Sequence, residues 1–115
     1  MNKSIVIYTE TSLPNINDFF NSDYMIILKP NMNINLIDNY SLLLNNEYLY
    51  YDYLITDEIE TLKKLNAIFD NDFVLTNNTF LSSIDNVFCF GKLVNTSKTI
   101  EEQLKIIVNN ILNNE

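Results

Sequence analysis

One glycine, Gly91, stands in 115 residues, and it ends the apolar run Val-Phe-Cys-Phe at positions 87–90. Glycine is the residue that reaches φ > 0 without steric cost, so a chain with one must build its other left-handed turns from asparagine, which tolerates that region best among the rest. Twenty asparagines are available. A glycine-rich turn that brings backbone N–H groups against a diphosphate needs several glycines between strand and helix, and this chain cannot make one.

Other subtractions narrow the chemistry further. All seven basic residues are lysines, so the bidentate arginine fork for phosphate or carboxylate is missing. No histidine is present, which removes the commonest general base and the commonest metal ligand. The single cysteine, Cys89, makes no internal disulfide and no cysteine-based zinc site. Flanked by Phe88 and Phe90, it reads as a buried, inert thiol with a raised pKa. A net charge of −8 without a basic cluster repels nucleic acid. No apolar run reaches the length of a membrane span, and the start is too polar for a secretory signal. The expected location is the cytoplasm, with neither a membrane nor a nucleic acid as partner.

Along the chain, Lys3 to Tyr8 and Tyr24 to Leu28 read as strands. The segment at 15–23 reads as a helical turn, and the alternation of Met32, Ile34 and Leu36 with asparagine as a strand with one buried face. Ser-Leu-Leu-Leu, Asn45-Asn46 and the run from Glu47 to Ile55 predict a β-hairpin whose return strand reaches Ile55. From Thr56 the period changes. Ile59, Leu62, Leu65 and Phe69 predict an amphipathic helix of about three turns, with Asp57 and Glu60 at capping-box spacing. Short strands follow at Phe73 to Leu75 and at Val87 to Phe90. Thr99 and Glu102 then form a capping box ahead of an apolar stripe from Ile100 to Leu112.

The expected fold is α/β: a small mixed sheet with a β-hairpin and two main helices. Residues 1–115 form one domain with a soft internal boundary near 56, between a strand-rich part (1–56) and a C-terminal part (57–115).

The C-terminal part resembles the end of thioredoxin reductase and related two-dinucleotide-domain flavoproteins. There a segment of the type Thr-Ser-Ile-Pro-Gly-Val-Phe-Ala-Ala-Gly-Asp delivers a Gly-Asp pair to FAD. Here it stands as Ser82-Ser83-Ile84-Asp85-Asn86-Val87-Phe88-Cys89-Phe90-Gly91-Lys92, matching at Ser83, Ile84, Val87, Phe88 and Gly91. The resemblance implies flavin contact at Gly91, Lys92, Gln103 and Leu104. The departures are as informative. Lys92 replaces an aspartate that accepts from ribityl hydroxyls, and an ammonium only donates. The N-terminal glycine-rich turn and the redox Cys-x-x-Cys pair are both missing. Gly91 then serves either a strand-to-loop turn or close approach of a ligand.

Tyr48, Tyr50, Tyr51 and Tyr53 form a cluster with two open readings, a hairpin built of good β-formers or an interface. Alternation puts Tyr48 and Tyr50 on one face and Tyr51 and Tyr53 on the other, so both faces cannot be solvated without exposing much aromatic surface. Asp57, Glu58, Glu101 and Glu102 read as first-turn charges that suit the helix dipole.

The expectation is a thioredoxin-reductase-like binding or assembly protein without catalysis of its own. It binds no cofactor alone and acts through a protein partner or as a homo-oligomer. The alternative is a flavin-binding electron-transfer subunit, with FAD held only once a second chain completes the site.

Overall fold

The computed structural model describes residues 4–13 and 25–113. The helical turn expected over 15–23 lies outside the described residues. In chain order the elements are β1 (Ile5–Tyr8), β2 (Met25–Leu28), β3 (Ile34–Asp38), β4 (Ser41–Leu44), β5 (Glu47–Tyr50) and β6 (Tyr53–Thr56). They continue as α1 (Ile59–Lys64), β7 (Phe69–Asp70), β8 (Phe73–Val74), β9 (Val87–Cys89), a 3-10 turn at Gly91–Leu93 and α2 (Ile100–Asn113). The chain is an α/β protein with small sheets and two helices, as the sequence predicts.

Its centre is a four-stranded sheet in the order β2-β1-β6-β9, parallel throughout. Ile5 stands opposite both Met25 and Tyr53, and Leu54 opposite Val87. Parallel strands are covered on both faces and read as unbroken apolar runs. Val6, Ile7, Leu54, Ile55 and Val87 are accordingly all fully buried. β6 pairs with β1 on one side and β9 on the other, so the strand-rich part and the C-terminal part share one sheet and one core.

A second, antiparallel sheet runs β3-β4-β5. Asn45 and Asn46 join its hairpin with φ of 53° and 67°, the two left-handed residues of a type I′ turn that matches strand twist. The return strand ends at Tyr50 rather than Ile55. At Asp52 and Tyr53 the backbone N–H groups both donate to the Ser4 carbonyl, and Asp52 Oδ2 accepts from the Ser4 N–H at 2.8 Å. These bonds pull the chain out of the meander and into the parallel sheet beside β1.

The predicted three-turn helix is cut to six residues. Ala67 N–H donates to the Leu62 carbonyl at 2.9 Å and Asn66 N–H to Lys63 at 3.0 Å, with Asn66 at φ 65°. That is the Schellman ending with asparagine at its left-handed position. Phe69, expected on the helix, pairs with Val74 in the β7-β8 hairpin. Asp57 and Glu60 do not form the expected capping box. Glu58 occupies the N-cap without a side-chain cap bond.

α2 keeps its predicted start. Thr99 Oγ1 accepts from the Glu102 N–H, and Glu102 Oε1 accepts from the Thr99 N–H at 2.9 Å. Leu104, Ile107, Val108 and Ile111 of α2 are buried in the same cluster as the parallel strands. Among the described residues, no helix is long and apolar enough to cross a membrane.

Candidate functional site

From β1 the chain passes to β2 on one side and then to β6 on the other. The strand order therefore reverses between β1 and β6, and parallel sheets take ligands in the crevice beyond the carboxyl ends of their strands at such a point. A cavity of about 490 Å³ opens there, lined among others by Thr11, Asp57, Glu58, Gly91 and Lys92.

The walls of this crevice are cross-linked by short polar bonds. Thr56 Oγ1 donates to the Tyr8 carbonyl at 2.8 Å and accepts from the Glu58 N–H at 3.1 Å. Thr9 Oγ1 accepts from the Thr11 N–H at 2.9 Å, and Thr11 Oγ1 donates to Asp57 Oδ2 at 2.7 Å. The other carboxylate oxygen, Asp57 Oδ1, is buried without a hydrogen-bond partner. Burial, then the charges of Asp57 and Glu10, push the Glu58 carboxyl above the ordinary glutamate value. The Tyr8 hydroxyl is raised by burial and by Glu58 and Glu10. Three carboxylates, from Asp57, Glu58 and Glu60, thus face one ammonium, Lys92. The negative charge of that lining disfavours a diphosphate.

Gly91 and Gln103, two of the residues that the flavoprotein likeness implicates, meet here. Gly91 has φ 79°, and its N–H donates to Gln103 Oε1 at 2.8 Å. Gln103 is buried, and its Nε2 donates to the Lys98 carbonyl at 2.8 Å. Lys92 is exposed on the 3-10 turn, and Leu104 is buried in the core. Cys89 is fully buried, and burial pushes its thiol up to about 12. Neither a protein-family model nor a curated protein sequence matches this chain.

The tyrosine cluster is divided. Tyr48 and Tyr50 are 66% and 68% exposed on β5, their rings stacked 5.9 Å apart at 12°. Tyr51 turns inward, with its hydroxyl donating to the Asp38 carbonyl at 3.2 Å. Burial and the Asp38 charge raise its pKa strongly. Tyr53 is half-buried, its ring 6.1 Å from that of Phe88.

The pairing of Thr11 with Asp57 escapes a reading of the sequence, where Asp57 looks like a helix cap. Its position straight after β6 is the available signal, because residues there line the ligand edge of a parallel sheet. Nothing in the spacing picks out Thr11, 46 positions earlier.

Proposed function

We propose that this chain is a non-catalytic, thioredoxin-reductase-like binding or assembly protein of the cytoplasm that acts through a protein partner. The observation that carries this reading is the Tyr48–Tyr50 pair, two stacked rings left about two-thirds exposed on an edge strand. Tyrosine supplies large contact area at small entropic cost and is enriched where partners dock. The acidic lining of the crevice, with Asp57, Glu58 and Glu60 against Lys92, supports a chain that does not hold a dinucleotide unaided. The test is a photo-crosslinking residue at Tyr50 in the protein's own cell. One reproducible partner, lost in Tyr48→Ser/Tyr50→Ser, is expected; no crosslinked protein at all overturns the reading.

The second reading, a flavin-binding electron-transfer subunit completed by another chain, draws on left-handed Gly91 opening onto the crevice at the strand-order reversal. It needs Gln103 to release Gly91. Flavin absorbance in the purified protein, or a thermal shift with FAD, alone or with that chain, promotes it; a colourless protein without such a shift removes it.

A further inference from the structure

We infer that the free edge of β5 takes an arginine- or lysine-bearing extended segment of the partner protein as an added strand, with its cationic side chains over Tyr48 and Tyr50. This deepens the partner reading above and rests on it.

The edge is open and its backbone is aimed outward. Among the described residues β5 pairs with β4 alone. In a two-residue hairpin the pair flanking the turn, Leu44 and Glu47, is hydrogen-bonded, and the bonded pairs then alternate. Glu47 and Leu49 therefore bond to β4, and Tyr51 continues the series by donating its N–H to the Tyr40 carbonyl at 3.0 Å. The N–H and C=O groups of Tyr48 and Tyr50 fall on the other side, toward the edge. Sheets that must avoid a further strand guard such an edge with lysine or proline, and β5 has neither.

Charge selects the occupant. No lysine occurs between Lys29 and Lys63, while that stretch carries Asp38, Glu47, Asp52, Asp57, Glu58 and Glu60. On the meander and just after it, Asp38, Glu47 and Asp52 are all exposed. A second copy of this chain brings its own Glu47 and Asp52 to the same edge and is disfavoured. A cationic strand is complementary. Residues directly opposite Tyr48 and Tyr50 in an added strand share their face, so the segment carries its two cations two positions apart. Arginine suits this place best, because its planar guanidinium stacks on an aromatic ring and still pairs with carboxylate.

The test uses the full chain and a fluorescein-labelled peptide, Thr-Val-Arg-Val-Arg-Val-Thr, against its twin with glutamate for arginine. Anisotropy is expected to show the arginine peptide binding at least about tenfold more tightly, with the advantage falling as salt rises from about 0.05 to about 0.5 M. Amide shifts centre on Tyr48 and Tyr50. Tyr48→Lys/Tyr50→Lys is expected to lose about tenfold or more in affinity. Glu47→Lys, which leaves both rings in place, is expected to weaken binding several-fold and covers the case in which the double variant misfolds. Equal binding of the twins, no binding, shifts away from β5, or self-association that the double variant abolishes each overturn the inference. A crosslinked partner at Tyr50 without arginine-peptide binding overturns the cationic strand alone; loss of both overturns the partner reading too.

Discussion

The backbone N–H of Gly91 donates to Gln103 Oε1 at 2.8 Å, and the Nε2 of the same side chain donates to the Lys98 carbonyl. One buried amide thus ties the turn that ends β9 to the chain entering α2. The likeness to flavoproteins marks both Gly91 and Gln103 for a cofactor, yet here each satisfies the other. Their spacing is fixed by the strand-to-helix turn itself.

Gly91→Ala is expected to destabilise the fold by about 1 to 2 kcal/mol, the cost of a left-handed L-residue. The added Cβ would lie 3.4 Å from Asp57 Cβ, an ordinary contact, so the cost is conformational rather than steric. Gly91→Asn should therefore lose less. Urea titration of the three proteins checks the order, and equal loss for alanine and asparagine counts against it.

Gln103→Leu is expected to cost about 1 to 3 kcal/mol, because it leaves the Gly91 N–H and the Lys98 carbonyl without their partner. Gln103→Glu keeps an acceptor for Gly91 but no donor for Lys98 while ionised, and should fall between. Unfolding midpoints that leave Gln103→Leu equal to wild type would show the bridge to be worthless.

What the residues announce and what they conceal divides along local against distant causes. The α2 stripe and the Thr99–Glu102 box are local, and both are present. The scarcity of glycine is also legible: Asn45, Asn46, Asn66 and Asn71 all have positive φ. Phe80, at φ 66°, is not legible, since no propensity sends a bulky ring there. α1 shows how a pattern misleads. Leu65 and Phe69 continue its period, but Asn66 ends the helix, and an asparagine in mid-pattern does not declare which choice it will take. The break at Tyr51–Asp52 depends on Ser4, 48 positions from Asp52, and the Thr11–Asp57 bond is equally remote.

The capping box makes a pH prediction. Its hydrogen bond from the Thr99 N–H holds the Glu102 carboxyl below the ordinary glutamate value, with Thr99 Oγ1, Lys98 and Lys105 adding to it. A depressed carboxyl contributes stability above its unfolded value, near 4.5, and loses it as pH falls through the lower folded value. Glu102→Gln is expected to flatten the stability profile below that pH. Thr99→Ala should cost about 1 kcal/mol at neutral pH, read from thermal midpoints.

Cys89 is expected to be silent in the native protein. It is fully buried on β9, and desolvation alone pushes its thiol up to about 12. At pH 8 the thiolate, which is the nucleophile, is then present at about one part in ten thousand before access is considered. Reaction with a disulfide reagent should be at least about a hundredfold slower in buffer than in urea. Cys89→Ser would bury a hydroxyl among Val87, Phe88 and Phe90, and should cost about 1 to 3 kcal/mol. Fast labelling of the folded chain would mean that β9 opens readily at the edge of its sheet. In that case the crevice beside Gly91 would be a mobile wall, and the order predicted for the Gly91 variants would fail with it.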